Sequence, residues 1–196
     1  MTKIKLCGIR RKEDIELVNL VKPDYIGYVF AKSSKRYVTP EAALELTRLL
    51  DPEIIPVGVF VDEAIENVIS LYESGAIKAA QLHGEESGEY ISELQKRGIT
   101  VIKAFKVKNV SDAEKAEQSR ADIVLLDSGS GSGEVFDWSL IETVRRDYFL
   151  AGGLNENNVS DAIKTLHPFA VDASSCIETN GFKDLEKAQR FVAAIR

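Results

Sequence analysis

Cys7 closes a short apolar run, KIKLC (3–7), and Gly8 follows it at once. A packing cysteine needs no such punctuation. A glycine that lets the chain turn leaves the thiol at the rim of whatever the strand builds, where it can act as a base. Asp127 closes a second run, DIVLLD (122–127), in which apolar neighbours strip water from the carboxyl and suit it to general acid work. Arg36 sits in KSSKRY (32–37) beside Lys32 and Lys35, a loop whose charge suits an anionic substrate group. QLHG (81–84) places His83 at the end of another run, and Lys103 lies inside a further one. Each residue has an ordinary alternative. A lone cysteine is commonly a small buried hydrophobe, and a strand-end aspartate commonly caps the next loop. His83 and His167 read as structural histidines, Lys103 as a side chain extending into a polar rim, and Arg36 as a solvated charge.

Two glycine-bearing stretches add a third function to the acid and base. LAGGLNENNV (150–159) carries Gly152 and Gly153, with Asn155 as the expected helix N-cap. VDASSCIETNG (171–181) carries Ser174 and Ser175. Glycine lets backbone N–H groups approach phosphate oxygens, and serine hydroxyls add donors. GSGSGEVFDW (129–138) reads as a lid over Asp127, or as a plain connection. The combination points to proton transfer on a phosphorylated small molecule, with no metal-ligand cluster and no nucleotide fingerprint.

The elements that must position these groups follow from eight short apolar runs, at 3–7, 25–30, 54–60, 77–83, 100–105, 122–127, 148–152 and 169–174. Helix-like segments such as 39–50, 62–75 and 86–98 lie between them, with Thr39 as an N-cap, Pro40 at the first helical position, and Gly75 and Gly98 as C-terminal caps. Near-continuous apolar strands alternating with helices predict a parallel sheet buried on both faces. The expected fold is α/β, a (β/α)8 TIM barrel forming one compact domain over 1–196; an open doubly wound sheet is the rival. In a barrel the loops after strands 7 and 8 commonly bind phosphate. Segment 108–120 is left open as helix or loop.

The chain has 196 residues, a net charge of −6 and two cysteines. This balance argues against nucleic acid as an electrostatic partner but leaves room for a small anion. No apolar run approaches a membrane span. The N-terminus lacks a signal-peptide pattern, and two cysteines fit a reducing compartment, so a cytoplasmic location is expected. The expected partner is a small phosphorylated substrate, with no nucleic acid, no membrane and no cofactor, the chain being a monomer or a homodimer.

Taken together, KLCGI, GYVFAKSSKRYV, PVGVF, QLHG, IKAF, LLDS, GSGEVFDW, LAGGL and VDASSCIE, in that order, resemble the phosphoribosylanthranilate isomerases of tryptophan biosynthesis. The resemblance implies a cofactor-free Amadori rearrangement, an aldose–ketose isomerisation (formally an intramolecular oxidoreductase). It makes Asp127 the general acid at the furanose ring oxygen and Cys7 the general base at C2′. Arg36 and His83 fall on the anthranilate side, and Gly152, Gly153, Ser174 and Ser175 around the phosphate. Several positions depart from the pattern: Lys35 for proline, Arg10 for threonine, Ser130 and Ser132 in the glycine-rich stretch, and Cys176 for glycine. Strand 8 neighbours strand 1 in a closed barrel, which raises the question whether Cys7 and Cys176 come within bridging distance. Other readings are a pentose-phosphate epimerase, a histidine-pathway isomerase and a non-catalytic phospholigand binder. The first lacks obvious metal ligands, the second lacks an aspartate at the end of strand 1, and the third has no need of both Cys7 and Asp127.

Overall fold

The computed structural model describes residues 1–127 and 137–196. Eight parallel strands close into a barrel: β1 (Lys3–Cys7), β2 (Tyr25–Val29), β3 (Ile55–Phe60), β4 (Ala79–Leu82), β5 (Thr100–Lys106), β6 (Ile123–Asp127), β7 (Tyr148–Ala151) and β8 (Ala170–Ala173). Closure is made by β8 on β1, with Lys3 opposite Ala170 and Leu6 opposite Ala173. That pairing removes both sheet edges and decides against the open sheet.

The helices are α1 (Lys12–Val21), α2 (Pro40–Thr47), α3 (Ile65–Glu73), α4 (Gly88–Lys96), α5 (Val110–Glu117), α6 (Val159–Leu166) and α7 (Leu185–Ala193). The α2 start forms as expected, with the Thr39 hydroxyl accepting from Ala42 N behind Pro40. Gly75 and Gly98 take φ of +80° and +77°, the left-handed stops predicted for them. Segment 108–120 does contain a helix, α5, capped by the Asn109 side chain and holding little beyond Ala113 and Ala116 against the core.

The start of α6 lies three residues later than the sequence suggested. The Asn155 carbonyl accepts from both Asn158 N and Val159 N, closing a turn first, so Asn158 and not Asn155 precedes the helix. A 3₁₀ turn, Trp138–Ile141, follows the segment after β6. After β8 come a second 3₁₀ turn, Ser175–Ile177, and a small hairpin of β9 (Glu178–Thr179) and β10 (Phe182–Lys183), turned by Asn180 and Gly181 at φ of +53° and +79°; Asn-Gly is the hairpin signature the reading of the sequence passed over. No helix among the described residues is long and apolar enough to cross a membrane.

The strand period of two divides the core. Ile4, Leu6, Ile26, Tyr28, Leu82, Val124, Leu126 and Val171 point outward into the layer shared with the helices. Tyr25, Val57, Ala79, Ile102, Leu125, Phe149 and Ala170 fill the barrel interior. Lys5, Cys7, Gln81, His83, Asp127 and Asp172 share the parity of that inner set, so the inward-facing column of each of these strands ends in a polar group.

Candidate active site

Cys7 ends β1 facing inward, and Asp127 ends β6 facing inward, so both stand at the C-terminal mouth of one barrel. Gly8 has φ of +87°, and a Cβ there would lie 2.4 Å from Arg36 Cδ. The glycine after the cysteine therefore serves two ends: it turns the chain, and it admits the arginine of the next loop to the rim beside the thiol.

A second glycine matters as much. Gly27 lies opposite Cys7 on β2, and a Cβ there would sit 2.6 Å from Cys7 Sγ. The thiol occupies the space that a side chain on β2 would need. Gly27→Ala is accordingly expected to push the thiol aside and lower kcat about 10²-fold, the scale of an ångström misplacement at a reacting group. Steady-state kinetics beside an unchanged circular dichroism spectrum would show it; wild-type kcat would remove Gly27 from the account.

Cys7 is buried, and burial pushes its thiol up, opposed by the nearby Lys5 charge. His83 Nε2 lies 3.9 Å from Asp127 Oδ2, and Gln81 Nε2 lies 3.4 Å from His83 Nδ1. Burial pulls the His83 imidazole down, so it is neutral at pH 7, with Asp127 resisting the shift. Gln81, 1% exposed, has an Oε1 with no hydrogen-bond partner among the described residues.

Arg36 is not a lone solvated charge. Its Nε and Nη2 donate to the two oxygens of Glu178, each at 2.7 Å, a planar fork on a carboxylate. Glu178 also accepts from buried Lys183 at 2.8 Å, and Lys183 donates to the Ser174 carbonyl at 3.0 Å. Burial alone would raise the Glu178 carboxyl; the hydrogen bonds and charges of Arg36 and Lys183 overcome it and hold it at about 2. Two cations against one carboxylate leave a single positive charge, which suits a further carboxylate from a ligand. Removing Glu178 strands Lys183 in the interior. Glu178→Ala is expected to cost about 3 kcal/mol, a Tm lower by roughly 6–12 °C. Thermal denaturation checks it, and a change below 2 °C would contradict it.

The phosphate candidates lie on the loops expected of them. Gly152 and Gly153 follow β7 with φ of +85° and +67°, and Ser174 and Ser175 open the 3₁₀ turn after β8. Ser175 is exposed, but the Ser174 hydroxyl donates to the Cys7 carbonyl at 3.1 Å and so ties this loop to the end of β1.

One other expectation changes. Lys103 lies on the outward parity of β5, donating to the Gly84 carbonyl at 2.6 Å and Glu86 at 3.0 Å; it braces the loop after β4 and does not enter the mouth. Cys7 and Cys176 are both free thiols, and Cys176 packs against the outer core layer, away from the barrel interior. The stretch 129–138 read as a lid falls mostly on residues 128–136, outside the described residues; at its far end Asp137 caps the 3₁₀ turn and Trp138 packs against the outer core. A cavity of about 420 Å³ lies elsewhere, between the loop after β2 and helices α2 and α3, lined by Tyr37, Leu44, Phe60 and Asn67 among others and by none of the candidate residues. Sequence reasoning missed Lys5, Asp172, Gly27, Glu178 and Lys183. A charge in the middle of an apolar strand, as in KIKLC and AVDA, was the available signal.

A closed parallel barrel with its ionisable groups gathered at the C-terminal ends of the strands defines a (β/α)8-barrel enzyme. The particular family follows from comparison. Residues 4–194 match the family model of N-(5'phosphoribosyl)anthranilate (PRA) isomerase. The N-(5'-phosphoribosyl)anthranilate isomerase of Thermoanaerobacter pseudethanolicus is 44% identical, over all of this chain and 98% of that relative. A structure of monomers generated from the dimeric phosphoribosylanthranilate isomerase of Thermotoga maritima superposes with a TM-score of 0.89 at 39% identity, covering 99% of this chain and 98% of that one. Another phosphoribosylanthranilate isomerase, solved in complex with reduced 1-(o-carboxyphenylamino)-1-deoxyribulose 5-phosphate, matches with a TM-score of 0.88 at 38% identity and the same coverage. The chain belongs to the N-(5'-phosphoribosyl)anthranilate isomerase family. Arg10 Nη1 donates to the Lys35 carbonyl at 2.9 Å and Nη2 to the Gly181 carbonyl at 2.8 Å, fastening the loop after β2 to the hairpin.

Proposed function

We propose that this chain converts N-(5-phosphoribosyl)anthranilate to 1-(2-carboxyphenylamino)-1-deoxyribulose 5-phosphate, the isomerisation of tryptophan biosynthesis, with Asp127 as acid and Cys7 as base. The observation that carries the assignment of roles is the inward placement of both residues at one barrel mouth, in a chain that matches the family from 4 to 194.

Asp127 gives its proton to the furanose ring oxygen. The C1′–O bond breaks as the anthranilate nitrogen forms a double bond to C1′. The Cys7 thiolate then takes the C2′ proton; the electrons of that C–H bond form C1′=C2′ as the C1′=N pair moves onto nitrogen, giving an enolamine. Tautomerisation returns a proton to C1′ and leaves a ketone at C2′. C1′ is reduced and C2′ oxidised within one molecule, so the step balances without an external redox partner.

The anthranilate carboxylate belongs near Arg36, on the guanidinium edge not committed to Glu178, with His83 on the same side and the surplus positive charge of the Arg36–Glu178–Lys183 group to meet it. The phosphate belongs at the Gly152–Gly153 turn and the Ser174–Ser175 turn, met chiefly by backbone N–H groups and the Ser175 hydroxyl, since Ser174 is engaged with Cys7. The dimer named for the Thermotoga maritima relative makes a homodimer the oligomer to look for first.

The test is turnover of substrate generated in situ. Its fluorescence is expected to decay while a keto isomer of equal mass accumulates. Decay without that isomer, or no decay, would reject the assignment.

A further inference from the structure

Among the described residues, the buried ion pair of the barrel interior lies on its β1–β8 side. Lys5 lies two residues below Cys7 on the same inward column, its side chain fully buried. Its Nζ donates to both carboxylate oxygens of Asp172, at 3.0 and 2.9 Å, and the two residues are direct partners in the β1–β8 pairing. Burying two charges is costly, and well-packed apolar side chains commonly hold such a position as well or better. Packing alone therefore does not account for the pair.

Its placement gives it a second use. Lys5 and Cys7 are next to each other on that inward column, and burial, which pushes the thiol up, is opposed first by the Lys5 charge, with the Asp172 charge acting the other way. Lys5 itself stays protonated, because Asp172 and then Cys7 outweigh the cost of its own burial. Burial also pushes the Asp172 carboxyl up, against the pull of Lys5. The other charged groups acting on the sulfur are Lys183 from β10 and Arg36 from the loop after β2, with His83 just after β4 and Asp127 at the end of β6 on the remaining sides of the mouth.

We propose that Lys5 is a positioning residue that supplies the positive charge against which the Cys7 thiolate forms, and that Asp172 holds the ammonium in place. The proposal rests on the reading of Cys7 as the base. When Cys7 takes the substrate proton, the ammonium keeps Asp172 as its partner, so no buried charge is left alone at any point of the cycle.

Two variants pull in opposite directions. Lys5→Met removes the cation, so the thiol should ionise at higher pH. Asp172→Asn removes the competing anion and keeps an acceptor for the ammonium, so it should ionise at lower pH. In a Cys176→Ser background the only remaining thiol is Cys7, and its alkylation rate by iodoacetamide against pH reads its ionisation without reference to turnover. Lys5→Met should raise the alkylation midpoint by about one pH unit, a roughly tenfold slower reaction at pH 7. Lys5→Arg should restore the midpoint, and Asp172→Asn should lower it. If Lys5→Met does not fold, the downward shift in Asp172→Asn decides alone. Unchanged midpoints, or shifts of the same sign in both variants, would overturn the proposal. The acidic limb of kcat/KM should follow the alkylation midpoint; if the midpoints move as stated and that limb does not, the charge pair stands and the assignment of Cys7 as base falls.

Discussion

Cys7→Ala is expected to lower kcat by roughly 10²–10⁴-fold, the range over which a positioned general base contributes. The fold should survive the change. Only Sγ is lost, at a position whose backbone is held by the Ser174 hydroxyl and by pairing with Gly27 of β2. No neighbour is placed to substitute. Lys5 is committed to Asp172, and Gly27 offers no side chain. Cys7→Ser should fare almost as badly, because a hydroxyl in the same pocket is a far weaker acid than a thiol and is not ionised at working pH. Kinetics paired with thermal denaturation separate this loss from unfolding, and a variant within threefold of wild type would take the base elsewhere.

Asp127→Asn is expected to cause a loss of similar size, roughly 10²–10⁴-fold in kcat, for a different reason. Asparagine keeps the volume but has no acidic proton to give the ring oxygen. The two losses should differ in what accumulates. With Cys7→Ala the ring still opens, and the open-chain imine should be trapped by borohydride reduction. With Asp127→Asn the substrate should stay closed and resist trapping. Equal trapping in both variants would remove Asp127 from the ring-opening step.

What the sequence made legible was whatever depends on local pattern. Apolar runs of strand length, spaced by helix-like segments, called for the barrel; the Thr39–Pro40 start and the glycine stops at 75 and 98 were readable because caps are local chemistry. Cys7 and Asp127 were found because each closes a run, which in this fold is the functional end. The rest depends on closure. Lys5 and Asp172 are 167 residues apart and meet only because β8 returns to β1, and Arg36 meets Glu178 across 142 residues; the Asn180-Gly181 turn could announce the hairpin, but not what its first strand would meet. Gly27 looked like any small residue in YIGYVF until the thiol opposite claimed its space. Lys103 was misplaced by treating a strand as one face; counting parity from Ile102 and Ala104, which point inward, turns it outward to Glu86. Asn155 was one of three asparagines within four residues, and only the turn it closes shows that Asn158 precedes the helix.

The central claim is that Cys7 and Asp127 act as base and acid on one substrate in one barrel mouth. Its most direct test follows the fluorescence of phosphoribosylanthranilate, formed in situ, with wild type, Cys7→Ala and Asp127→Asn side by side, each with its Tm. The account predicts that wild type consumes the substrate while both variants are at least about 10²-fold slower, with Tm within a few degrees of wild type. Either folded variant turning over at the wild-type rate would contradict it.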